Sequence, residues 1–172
     1  MNALDQLQDM SRDMLIDIIH VLGRNWLTVD GLWYQIIERE LGPETAVRFD
    51  KEMWARQSLA EARRIKKAIG ITEKGPLAVA KANLFLTSYF NDKFDFEIKK
   101  VGSDRVIQTC IHCAIQERRI EQGQGPFDCK EVGLTERTNF AEVIDPEVKV
   151  KCLTCPPDPR PDTHWCQWEF YR

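Results

Sequence analysis

Along the first ninety positions, apolar residues recur at intervals of three and four. Leu4, Leu7, Met14, Leu15, Ile18, Ile19, Leu22 and Trp26 form one such stripe, the pattern of a helix with one apolar face. Leu32, Trp33, Ile36 and Ile37 form a second stripe, ended by Gly42. Pro43 suits the first turn of a third helix carrying Ala46, Val47, Phe49 and Trp54, since the N–H that proline lacks has no partner there in any case. Ser58-Leu59-Ala60-Glu61 has the form of a capping box, which predicts the start of a fourth helix through Ile65 to Ile69, closed by Gly70. Pro76 begins a fifth, with Leu77, Ala80, Leu84 and Phe85 along it.

After position 91 the period changes to two. Phe94, Phe96 and Ile98 alternate with Asp95, Glu97 and Lys99, a strand with one wet face. Gly102-Ser103-Asp104 makes a turn, and Arg105 to Cys113 reads as the hairpin partner. Val148, Val150 and Cys152 alternate with lysines, and Cys166, Trp168 and Phe170 alternate with polar residues and Tyr171. With a helix between Leu134 and Ile144, the pattern predicts an α+β fold: an N-terminal helical part (1–91), then a small antiparallel sheet with a packed helix (92–172), forming one compact unit. The run Pro156 to Pro161 is a stiff loop, and no internal repeat is present.

Composition narrows the function classes. A net charge of −3 offers no basic field for nucleic acid or for an acidic membrane. The apolar runs are too short to span a bilayer. The first twelve residues carry Asp5 and Asp9 rather than a basic start before an apolar run, so no export signal is expected and a cytoplasmic location is. Thiols stay reduced there, and the six cysteines then call for a role other than disulfides.

All six lie after position 109: Cys110 and Cys113 as C-x2-C, then Cys129, then Cys152 and Cys155 as C-x2-C, then Cys166. A C-x2-C pair lets two sulfurs converge on one ion while distant partners close the coordination shell. Two pairs about 40 residues apart match many zinc sites, and four or more sulfurs equally suit an iron–sulfur cluster. Strand alternation puts Cys152 and Cys166 on apolar faces. The expected ligands are therefore Cys152, Cys155 and Cys166, then Cys129 and Cys113, with Cys110 last because a straight strand turns it away from Cys113. His112 and His164 lie close enough in sequence to replace one thiolate. The competing reading is small buried thiols or a redox pair. It suits one isolated cysteine better than two C-x2-C pairs.

A second candidate constellation is Asp30, Tyr34 and Glu38, at i, i+4 and i+8 beside Trp33. Asp30 and Glu38 are candidate acid–base residues, with Trp33 a candidate contact for a bound cofactor or ligand. The structural alternative is a first-turn acid at Asp30 and a solvated Glu38. His20 and the basic run Arg63, Arg64, Lys66 and Lys67 read as structural and solvated. Dinucleotide, phosphate-loop, zinc-protease and serine-hydrolase motifs are absent from the sequence.

Several segments together resemble a known family. Asn25-Trp26, Asp30-Gly31-Leu32-Trp33, Glu38 to Gly42, Asp50, Trp54 and Glu61 to Ile65 carry the first part of the likeness. Cys113, Gln116, Arg118, Cys129-Lys130, Gly133, Phe140-Ala141, Asp145-Pro146, Cys152, Cys155-Pro156-Pro157-Asp158, Cys166 and Trp168 carry the second. The chain is similar to an uncharacterised prokaryotic family of short cytosolic proteins, related to the L-2-amino-thiazoline-4-carboxylic acid hydrolase family and more distantly to vinyl-reductase-type ligand-binding domains. Cys110 and His112 fall outside that pattern. The resemblance implies an α+β fold with helices first, and occurrence in anaerobes. That last implication sets a 4Fe-4S iron–sulfur cluster before zinc, although spacing alone prefers zinc. Two functions follow. One is a cysteine-ligated metalloprotein that binds or senses a small ligand, with which a homodimer is compatible; the other is a hydrolase- or lyase-type enzyme for a small C–N or C–S compound.

Overall fold

The structure, a computed structural model, describes residues 2–172. A short 3-10 segment, Ala3–Asp9, precedes helix α1 (Arg12–Leu41), capped by the Ser11 hydroxyl on the Met14 N–H at 3.2 Å. Gly42, at φ +85°, reverses the chain, and α2 (Pro43–Ala68) returns along α1. Helix α3 (Pro76–Asn83) follows, then strands β1 (Asp95–Lys100) and β2 (Arg105–His112), helices α4 (Ala114–Glu121) and α5 (Lys130–Ile144), and strands β3 (Lys149–Thr154) and β4 (Cys166–Tyr171). The four strands form one antiparallel sheet in the order β1-β2-β4-β3. This is an α+β fold with helices first. Among the described residues no helix is long and apolar enough to cross a membrane.

Two expected breaks are not there. The first and second helices are one, because nothing between Trp26 and Leu32 stops a helix: Gly31 is tolerated, and Thr28 satisfies its hydroxyl on the Arg24 carbonyl at 2.8 Å. The third and fourth are also one. Ser58 lies inside α2 and donates to the Trp54 carbonyl at 2.5 Å, while Glu61 turns away to accept from the N–H and hydroxyl of Thr87. The capping pattern here serves tertiary contacts. Helix α4 was not foreseen; its eight residues carry little apolar periodicity.

One face of the sheet carries Ile98, Val106, Gln108, Cys110, Cys166, Trp168, Phe170 and Val150, set side by side by the strand registers. Helices α3 and α5 cover this face, and α2 lies along α5. Trp168, Phe140, Phe170, Leu86 and Ile144 form the best-buried part of the core. Gly133 on α5 is needed there, since a β-carbon would stand 2.9 Å from the Trp168 ring. Helix α1 touches the body through α2 and the turn at 87–89. At Gly23 the Phe90 carbonyl comes so close that a β-carbon would overlap it.

Candidate metal centre and its cavity

A cavity of about 1030 Å³ opens between the α1–α2 hairpin, helices α4 and α5, and one end of the sheet. Cys110, Cys113, Cys129, Cys155 and Cys166 all line it. Three local devices bring them together. Cys110 and Cys166 are direct cross-strand partners of β2 and β4, where side chains on one face are neighbours. Strand β2 ends at His112, so Cys113 becomes the N-cap of α4 and turns back toward Cys110. Cys129 is the N-cap of α5, and its sulfur lies 3.4 Å from that of Cys155.

The sulfurs form a continuous series. Cys110 lies near Cys113 and Cys166, and Cys155 lies near Cys166 and, at 3.4 Å, in contact with Cys129. All six cysteines are free thiols, and the 3.4 Å separation is far beyond a disulfide bond. Hydrogen-bond donors point at the sulfurs: the Trp168 indole N–H reaches Cys166 at 3.1 Å, and the Gln116 amide reaches Cys129 at 3.3 Å. The neighbouring Cys110 and Cys155 thiols, then the Arg137 guanidinium and the Trp168 N–H, hold Cys166 well below the ordinary thiol range despite its burial, while the Cys110 thiol itself donates to the His112 carbonyl at 3.2 Å. Neighbouring thiols, with burial, raise Cys110 and Cys155.

Behind the sulfurs lies a buried polar network. Arg137 donates to Gln108 Oε1 at 3.2 Å, to the Tyr89 hydroxyl at 3.1 Å and to Glu136 at 3.3 Å, and it stacks 4.5 Å above the Trp168 ring. Asn83 donates to Glu136 at 3.0 Å. Burial raises the Glu136 carboxyl against the opposing pull of Arg137. Such a charged group in a protein interior is held by its partners rather than by water.

Across the cavity stand Asp30 and Asp50, beside Tyr34 and Trp54. Burial lifts Asp30 from 3.8 to about 6. Burial, then the charges of Asp30 and Glu136, lift Asp50 to about 8 against a hydrogen bond from Trp54. Asp50, Glu136 and Arg137 were missed by sequence reasoning. They lie on helices where a lone charge ordinarily means a solvated face, and no spacing rule links α2 to α5.

The structure does not bring every expected residue here. Cys152 shares the sheet face with Trp168, its register partner, but lies outside the cavity near Lys130 and Asp158, with its thiol raised by burial to about 11. Cys110, ranked last, lies within the series, because the strand ends before Cys113. Glu38 also lies outside the cavity: both its oxygens accept from Arg119 at 2.9 Å, a bidentate pair tying α1 to α4. Trp33 is 63% exposed on the outer side of α1 and lines a separate groove. His112 pairs with Glu117 at 3.1 Å at the cavity wall, and His164 bonds Thr163 away from it.

The donor set suits a thiophilic centre: buried sulfurs, N–H groups aimed at them and a guanidinium to offset negative charge. Among the described residues, no three Cys, His, Asp or Glu side chains converge on one ion position. A single zinc needs its four sulfurs about 3.8 Å apart around one point, as bonds of about 2.3 Å dictate. A cluster takes one thiolate at each of several metal corners and so needs its sulfurs farther apart than contact distance; Cys129 and Cys155, at 3.4 Å, would have to separate to admit one.

Residues 8–172 match a family described as "Family of unknown function (DUF6125)", and the chain belongs to that family. No curated protein and no solved structure matches it.

Proposed function

We propose that this member of the family carries a thiolate-held metal centre, with an iron–sulfur cluster set before zinc only because the family resemblance implies it, and binds or senses a small ligand in the adjoining cavity. The observation that supports this reading is the set of five thiols lining one cavity, with N–H donors on Cys129 and Cys166 and the Arg137 guanidinium's charge nearby. Cys110, Cys129, Cys155 and Cys166 are the ligands of choice, with Cys113 at the α4 end of the series. Such a centre would supply electron transfer, or a Lewis-acidic corner where a ligand atom binds.

The chain's own residues have distinct tasks. Trp168 and Gln116 hold two sulfurs in place by N–H···S bonds. Arg137 offsets negative charge from behind. Tyr34 and Phe127, in edge contact at 4.7 Å, form an apolar wall that limits water. Asp30 and Asp50 present carboxyl oxygens to the ligand from the opposite wall. A cytosolic placement belongs to the same proposal, since it keeps the thiols reduced.

One observation favours a second reading, an enzyme acting on a small C–N or C–S compound. Asp50, raised to about 8, holds its proton near neutral pH beside a cavity of substrate size, as a general acid must, while Asp30, raised to about 6, is largely ionised there. Purification without oxygen, followed by absorption spectroscopy and iron, zinc and sulfide assays, tests the main reading. A brown protein with matched iron and sulfide supports it. A colourless protein binding one zinc would replace the cluster with a mononuclear site, and a metal-free protein would remove both.

A further inference from the structure

We infer that α1 is the contact surface of a homodimer, in which the helices of two copies cross antiparallel about their midpoints. The first part of α1 projects from the body: from Arg12 to Leu22 only Leu15 and His20 are even partly covered, and close packing begins at Gly23. That part is nevertheless rich in apolar residues. Eleven of the exposed large apolar side chains lie on α1, among them Leu22 at 58%, Leu32 at 55% and Trp33 at 63%. Together they open on the order of 900 Å² of apolar surface, where a standard interface takes about 800 Å² from each partner. Ordinary monomer patches reach only a few hundred Å².

The order of these residues identifies the occupant. Read inward from both ends of α1, the stripe matches itself: Met14 and Leu15 against Ile37 and Ile36, Ile18 and Ile19 against Trp33 and Leu32, Leu22 against Val29. A two-fold contact demands such self-complementarity, because each patch must meet its own copy. Antiparallel crossing near Asn25 and Trp26 brings each pair together. It also lays the projecting part of one α1 along the 320 Å³ groove of the other copy, between Trp26, Val29, Trp33, Phe49 and Met53. The Trp26 indole N–H, buried without an acceptor, lies at that midpoint. A membrane surface fits less well, since α1 carries three arginines against five acidic residues and no lysine.

The test uses the full chain, purified under reducing conditions without oxygen. Sedimentation equilibrium at micromolar concentration should give a dimer. Ile18→Asp with Leu22→Asp should weaken it by at least about tenfold, with the circular dichroism spectrum retained, whereas Ile69→Asp, at the exposed end of α2 and off the α1 stripe, should leave it intact. A photo-crosslinking residue at position 18 should capture the tryptic peptide 25–39 of the other copy. A wild-type monomer overturns the proposal, and binding of that monomer to neutral lipid vesicles would assign the stripe to a bilayer. Equal weakening by Ile69→Asp, or capture of peptide 13–24, overturns the antiparallel helix contact.

Discussion

The sheet end of the cavity and the free length of α1 depart from ordinary burial in opposite directions. At the sheet end, polar and charged groups are inside: Gln108, Gln116, Glu136 and Arg137 are buried among thiols, and each has named partners. On α1, large apolar groups are outside with nothing over them. Burial of polar groups costs stability unless every one is bonded, so such a network is maintained for a task other than packing. Exposed apolar area points instead to something that covers it. The difference separates a site from an interface, and it lies in satisfaction rather than in residue type.

The comparison can be broken most forcefully at Arg137. Replacing it with Met leaves Glu136 buried with its cation gone. Urea unfolding should show a loss of about 3–5 kcal/mol, and the network would be merely decorative if stability held. Gly133→Ala should come next, at about 1–3 kcal/mol, because the added methyl meets Trp168 within a packed core. Unfolding by denaturant checks it, and a neutral result would mean that α5 can shift off the sheet.

A smaller effect should follow pH. Asp50 keeps its proton up to about 8 in the folded chain but loses it near 3.8 once unfolded. The folded state therefore binds more protons across that interval. Stability is full below 3.8 and declines as pH rises through about 8. Asp50→Asn should relieve the decline, gaining about 1–2 kcal/mol at the alkaline end after allowance for solvent screening and nothing at the acid end. Denaturation curves across the range test this, and a gain independent of pH would contradict it. On the open side of the comparison, Trp33→Ser should change the unfolding free energy of the monomer by less than about 0.5 kcal/mol, in contrast to every change at the sheet end.

The fold was largely legible because it rests on local periodicity. The β1–β2 hairpin, β3, β4 and α5 follow from alternation and apolar spacing at Phe96, Val150, Trp168 and Phe140. Helix starts were less legible: Ser58 and Glu61 match a capping box by type, yet both spend their side chains on tertiary bonds. The concentration of cysteines marked the right part of the chain, but membership depended on where β2 stops. One strand ending at His112 brings Cys110 and Cys113 to one place, and a bulky Trp168 beside Cys152 leaves that thiol elsewhere. Asp50 and Glu136 were invisible because their meaning arises only when α2 packs along α5.

The most direct test compares two cysteines that the sequence ranks together and the fold separates. Iron, zinc and sulfide should be measured in oxygen-free preparations of the wild type, Cys166→Ser and Cys152→Ser. The account expects metal in the wild type, its loss in Cys166→Ser and its retention in Cys152→Ser. Equal retention in both variants, or loss in Cys152→Ser alone, would contradict a centre built on the cavity-lining sulfurs.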